Sequence, residues 1–429
     1  MNPDKKYEFI VVGSGAGGAT LAMELAKKGR SVLVVERGIR AKKVGSARNI
    51  MRYYDSSGTP NRLLKSKEGT ILWRTIMAGG TTIVSCGNAA RCLEEELAEL
   101  GINLDREYSD METGVVPYSK QRLSEGSKRI LAASRELGYK MEPMPKLIDL
   151  DKCRRCGNCI AGCAYGAKWT ALEFLDRAID DGAEILYSSK VEKVRIENGK
   201  AKGITLTNAD GYREIMADAV ILSAGGLGTP SILQKSGIKE AGDNFFMDLY
   251  VNVHGIASDL SQTNEPSMAL IDLEFQKSRG FILSPFIQQS QMTKFFHKAE
   301  RKNLLTSNND LLGMMVKIAD ESIGHVNPDG TFSKPVTDKD WDKLNEGTAI
   351  TREILVKAGA YSESITVSRA QGAHPGGTAA IGKVVDKDLQ AKADNLFVCD
   401  CSVLPDSPGM PPILTIAALA KRLAKTLAP

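Results

Sequence analysis

The chain has 429 residues, 42% of them hydrophobic, enough to build a sizeable core, which excludes a disordered or fibrous protein. Its 56 Lys and Arg against 52 Asp and Glu leave a formal charge of only +4, too little for a nucleic-acid footprint over the whole molecule. The polar start MNPDKKYEFI offers no apolar signal segment and no stretch approaches a membrane span, so a cytoplasmic protein is expected, with its eight cysteines as thiols or metal ligands rather than disulfides.

Glu8 to Val12 reads as a buried strand, Ala19 to Lys28 as a helix ended by Gly29, and Ser31 to Glu36 as a second apolar strand. This is a βαβ unit whose loop, VVGSGAGG, is built for a dinucleotide. Gly13 allows the tight turn, Gly15 lets the backbone approach a pyrophosphate, and Gly18 permits close packing of helix on strand; Glu36 is placed for ribose hydroxyls. The loop alone does not separate NAD from FAD. The stretch after Glu36 is basic, from Arg37 and Arg40 to Arg74, and is either a docking surface for an acidic electron-transfer partner or anionic substrate, or a solvated loop. Residues 69–92 carry paired glycines and small side chains, as backbone packed against something flat or phosphorylated would.

A helix is expected near Ser124 to Leu137 and another from about Thr170 to Asp180. Ile185 to Ile196, Ala201 to Thr207 and Tyr212 to Ser223 alternate like the strands of a small meander. Residues 246–365 are less legible, with helices expected near 294–304 and 341–358. NLFVCDCSVLP and PPILTIAALAKRLAKTLA close the chain as a strand and a terminal helix. There is no internal repeat.

Between the two middle helices lies a C-x2-C-x2-C-x3-C run: Cys153, Cys156, Cys159 and Cys163, with Gly157 and Gly162 loosening the backbone. Thiolates so spaced can wrap one iron-sulfur cluster, and the run matches the bacterial ferredoxin pattern apart from Ala164 in place of its proline. Structural zinc usually wants two ligand pairs across a longer loop. A 4Fe-4S cluster is the expected reading, closed by Cys163 or by a distant cysteine among Cys86, Cys92, Cys399 and Cys401; a 3Fe-4S cluster is the other possibility. Otherwise those four distant cysteines read as buried small apolar side chains.

Four segments, in order, resemble the glucose-methanol-choline (GMC) flavoprotein oxidoreductases: MAGGTTIVSCGNAAR at 77–91, SAGGLGTPSILQKSGI at 223–238, HPGGTAAIG at 374–382 and DNLFVCDCSVLPDSPGMPPILTIAALA at 394–420. The resemblance implies an α/β fold with a Rossmann-like FAD-binding domain in three pieces (1–92, 170–245 and 366–429), an insertion at 93–169 carrying the iron-sulfur loop, and a substrate-binding domain at 246–365. It implies FAD, with Gly13, Gly15, Gly18 and Glu36 at its adenosine and pyrophosphate side, Val191 near adenine and Gly79, Gly80 and Thr81 nearer the flavin. Ala224 and Gly225 of the second segment, Asp400 near the ribityl or pyrophosphate, and Pro412 complete the implied cofactor set. Some members carry a related cysteine run followed by a Gly-Ala pair, here Gly166-Ala167.

By the same resemblance His374 sits beside the flavin and takes the alcohol proton while hydride passes to the flavin, a role that suits an imidazole titrating near neutrality. His254, His297 and His325 have no comparable setting. The chain departs from the family at Pro411, where a second polar residue is expected; Asn88, Tyr165 and Ser407 are candidates to replace it. The implied function is a dehydrogenase acting on a CH-OH group of a small molecule, with electrons leaving singly through the cluster to a carrier such as a ferredoxin or a partner redox subunit. The alternatives are a ferredoxin-fed reductase of an unsaturated or carbonyl substrate, and an electron-transfer subunit without a substrate of its own.

Overall fold

A computed structural model describes residues 5–56, 63–117, 122–287 and 310–429. In chain order, the elements that build the site are β1 (Tyr7–Val12), α1 (Ala16–Ala26), β2 (Val32–Val35), β3 (Gly211–Leu222), α2 (Gly225–Lys235), β4 (Tyr250–Ile256), β5 (Leu311–Ile318), α3 (Asp338–Lys357), β6 (Leu396–Val398) and α4 (Ile413–Leu427).

The first sheet is parallel at its centre. β1 pairs with β2 on one side and with the second half of β3 on the other; Glu184–Leu186 continues the sheet beyond β2, and β6 beyond β3. Runs as apolar as YEFIVV and VLVV fit this position because parallel strands are covered on both faces. α1 packs against α4 and the helix Ala171–Asp180. The register aligns Val12, Val35, Leu222 and Val398, so the chain leaves all four strands at one edge. That edge is where an open α/β sheet binds its ligand.

The expected meander is divided differently. Glu184–Leu186 joins the parallel sheet, and a separate strand, Lys190–Glu197, starts an antiparallel ribbon with Lys200–Asn208 and the first half of β3. β3 belongs to both parts. Its exposed and buried residues alternate up to Asp218 and then give way to the fully buried AVIL that pairs with β1, a change of pattern that marks the change of partner.

A second sheet runs in the order Phe281–Pro285, β5, β4, Gln371–Gly372 and Ile71–Leu72. Alternation along β5 puts Met315 and Lys317 on one face and Met314, Val316 and Ile318 on the other, where α3 lies. Gly347 allows that approach, since a side-chain carbon there would stand 2.4 Å from Val316 Cγ1. α3 is the helix expected near 341–358, begun by a capping box between Thr337 and Asp340. The helix expected near 294–304, and His297 with it, lie outside the described residues. Among the described residues no helix is long and apolar enough to cross a membrane.

Candidate active site

A cavity of about 880 Å³ runs from the aligned strand ends to the Met315 and Lys317 face of the second sheet. At the strand end, Gly13 has φ +101°, and a side-chain carbon there would strike Ser223 O at 2.2 Å, so only glycine permits the turn. Gly15 caps α1 with no side-chain acceptor, which leaves the first helical amides for a phosphate. The buried Glu36 carboxylate accepts Ser14 N at 3.0 Å, Ser14 Oγ at 2.6 Å and Gly38 N at 2.7 Å. Burial raises its pKa above the ordinary carboxylate value and these bonds oppose the rise. Glu36 therefore braces the loop as well as bordering the cavity.

Most of the expected cofactor residues line this cavity, among them Gly80, Thr81, Val191, Ala224, Gly225 and Pro412. Gly18 and Gly79 stand behind it. A side-chain carbon on Gly18 would lie 2.0 Å from Gly13 O, so its role is helix-on-strand packing, while Gly79 N donates to Ser14 Oγ at 3.1 Å and ties the glycine segment to the loop. α4 also opens toward the cavity from Pro412 without a side-chain cap, adding a positive helix end to that of α1. Asp400 borders the cavity, but its oxygens accept Gly225 N (2.8 Å), Thr229 Oγ1 (2.6 Å), Ser402 N (2.8 Å) and Ser402 Oγ (2.6 Å). It holds the start of α2 against the loop after β6. The glycine cradle, the uncapped ends of α1 and α4 and the cavity volume together fit a dinucleotide with two phosphates.

At the other end of the cavity His374 follows the strand Gln371–Gly372, and its Nδ1 lies 2.7 Å from Asp248 Oδ2. Asp248 is fully buried with φ +46°, a left-handed conformation that a non-glycine residue adopts only where its surroundings impose it. Its Oδ1 accepts Ser407 Oγ at 2.8 Å and Gly409 N at 3.0 Å. A carboxylate can only accept, so Nδ1 carries the proton and Nε2 keeps its lone pair. Burial lowers the His374 pKa, the nearby Lys317 lowers it further, and Asp248 opposes both. Together these favour the neutral imidazole, and among the described residues Nε2 has no hydrogen-bond partner. No sequence motif marks Asp248, which stands in an ordinary apolar stretch, FFMDLY.

Pro411 does line the cavity. Of the three candidates to replace a polar residue there, Asn88 also borders it, with its Oδ1 held by Lys146 Nζ at 2.5 Å and its Nδ2 3.2 Å from Met268 Sδ. Tyr165 is 53% exposed and is not in the cavity wall, and Ser407 stands behind Asp248. His254 is buried in β4, and His325 pairs with Asp243 near the surface.

Cys153, Cys156, Cys159 and Cys163 lie on one loop with a left-handed turn at Arg155 (φ +52°). Burial raises the Cys153 and Cys156 thiols above their ordinary value, and the neighbouring cysteines add to the rise. Among the described residues, however, no three Cys, His, Asp or Glu side chains converge as a metal-holding group. The loop is fastened to the cavity wall. Buried Lys168 Nζ donates to Cys159 O at 3.0 Å and also to Ile83 O (2.8 Å) and Ser85 O (2.6 Å), while Ile160, between the cysteines, borders the cavity and accepts Tyr54 Oη at 3.1 Å. Cys92, Cys399 and Cys401 are buried, and Cys86 borders the cavity with its thiol pushed up to about 11 by burial.

A parallel sheet whose strand ends cradle a dinucleotide, with one long cavity reaching a His–Asp pair, defines a dinucleotide-dependent oxidoreductase. Residues 7–250 and 316–420 match the two parts of the family described as GMC oxidoreductase, so the chain belongs to that family of FAD-dependent oxidoreductases. An uncharacterized protein of Methanocaldococcus jannaschii is 30% identical over 98% of this chain and 100% of its own length. A long-chain-alcohol oxidase of Arabidopsis thaliana is 24% identical over 98% of this chain and 68% of its own. The fold is shared with a formate oxidase of Aspergillus oryzae (TM-score 0.75, 15% identity, 100% of this chain and 99% of that one) and with a pyridoxine 4-oxidase (TM-score 0.74, 15% identity, 98% and 99%).

Proposed function

We propose that the protein oxidises a CH-OH group of a small molecule, with His374 as the base. The observation that carries this reading is the His374–Asp248 pair at the cavity end remote from the glycine loop. FAD, when bound, supplies the acceptor for the hydride. The chain's own residues handle the proton: Asp248 holds Nδ1, so Nε2 receives the hydroxyl proton as the C–H hydride departs and the carbon becomes a carbonyl. The stabilised left-handed backbone at Asp248, with Ser407 and Gly409 behind it, keeps the imidazole oriented. The name of the Arabidopsis relative, an alcohol oxidase, supports the substrate class.

The finer reading adds an iron-sulfur cluster on Cys153, Cys156, Cys159 and Cys163, which when present supplies one-electron exit to an external carrier. Its support is the spacing of the four cysteines and the position of their loop, pinned by Lys168 and Ile160 against the cavity wall. The test of the central reading is anaerobic mixing of the FAD-loaded protein with a panel of alcohols and hydroxy acids. At least one should bleach the flavin absorbance; a broad panel that leaves it oxidised would overturn the reading.

A further inference from the structure

Four lysines are buried among the described residues: Lys146, Lys168, Lys317 and Lys334. A buried ammonium is tolerated when its three N–H donors and its charge are answered. Lys146 Nζ reaches Cys86 O (3.1 Å), Asn88 Oδ1 (2.5 Å) and Ser267 O (2.8 Å). Lys168 is surrounded by four backbone carbonyls, and Lys334 by Pro335 O and the Asp320 and Asp340 carboxylates. Lys317 is the exception. Only 2% exposed, its Nζ has a single acceptor among the described residues, Asp248 O at 3.2 Å, and otherwise lies 4.7 Å above the Tyr250 ring. It is also the one of the four that borders the cavity.

The carboxylates around it are committed elsewhere. Asp248 meets Lys317 through its backbone carbonyl, while its side-chain oxygens hold His374, Ser407 and Gly409; Asp320 pairs with Lys334 and accepts Ser407 Oγ and Met247 N. Of the cavity-lining residues, Tyr250 lies opposite Lys317 in the strand pair and Met315 shares its face of β5, and neither offers an anion. Burial draws the Lys317 pKa down and the nearby Asp248 and Asp320 carboxylates oppose this; a negative charge placed in the cavity would oppose it further.

We propose that Lys317 binds a carboxylate carried by the substrate, making the oxidised compound a hydroxy acid and Lys317 the residue that sets this specificity. This deepens the reading above and rests on it; the hydride and proton transfers are unchanged. The two N–H donors of Lys317 that have no acceptor among the described residues border the same cavity as His374 and Pro411, and they supply a grip, aimed at an anionic group, that Pro411 cannot. A neutral alcohol can accept from these donors but brings no charge to answer the ammonium, so on this proposal the cavity favours the carboxylate.

The experiment uses the FAD-loaded protein, with acetate and acetamide as matched charged and neutral probes and perturbation of the flavin visible spectrum as the readout. Acetate should bind at least about tenfold more tightly than acetamide, and Lys317→Met should remove most of that preference while keeping FAD. Wild-type protein that binds the two probes equally overturns the inference without any variant. So does a Lys317→Met protein that keeps FAD and the preference. Purified protein that takes up no FAD would remove the flavoprotein reading and this inference together, whereas FAD present with indifference to charge removes this inference alone.

Discussion

Asp248 is the residue on which the chemistry of His374 depends, because it fixes the tautomer while its own second oxygen is held by Ser407 and Gly409. A His374 pKa below the ordinary 6.5 means the imidazole stays neutral, and able to accept a proton, into mildly acid solution. The acid limb of kcat/KM should therefore have its midpoint below 6.5. In Asp248→Asn the carboxylate no longer favours the imidazolium, so the limb should move further toward acid while turnover falls about 10²- to 10⁴-fold. An acid limb that moves upward in this variant would show that Asp248 does not act on His374 as described. The sequence could single out His374 as a candidate because HPGGTAAIG is a compact segment. Asp248 and Lys317 were not, since each lies in an apolar strand or strand entry and meets the site only through sheet pairing, with Lys317 opposite Tyr250.

At the level of elements, the βαβ unit at the start and α3 and α4 later in the chain are where periodicity and capping place them, to within a few residues. The division at Ile185 to Ile196 was hidden because two short strands that join different sheets read as one alternating run. The cysteine loop tests another limit of sequence. Spacing describes which thiols can reach a common centre, but convergence depends on side-chain rotation that a pattern does not encode. Lys168 secures this loop to Ile83 and Ser85 in the turn that borders the cavity, a connection no spacing announces. If the four cysteines hold a cluster as proposed, protein purified anaerobically should contain about four iron and four sulfide per chain, and Cys153→Ser should lose iron and the EPR signal of the reduced protein while keeping FAD. Iron-free protein with a full complement of FAD would eliminate the cluster.

Across the whole molecule, function arises where two sheets meet. The first sheet brings the ends of β1, β2, β3 and β6 to one edge, and the second presents the Lys317 face of β5 to the same cavity. Neither sheet alone contains both the cradle for a dinucleotide and the His374–Asp248 pair. The glycine loop was readable because its requirements are local, a turn and an open helix end; the opposite wall was not, because residues 246–365 acquire their meaning from pairing across the chain. The most direct test of this arrangement is the anaerobic single-turnover reduction of bound flavin by a substrate that bleaches it, compared between wild type and His374→Ala at equal FAD content. Loss of the proposed base should slow reduction by about 10²- to 10⁴-fold with FAD retained. Unchanged reduction in the variant would contradict the placement of His374 as the base in this cavity.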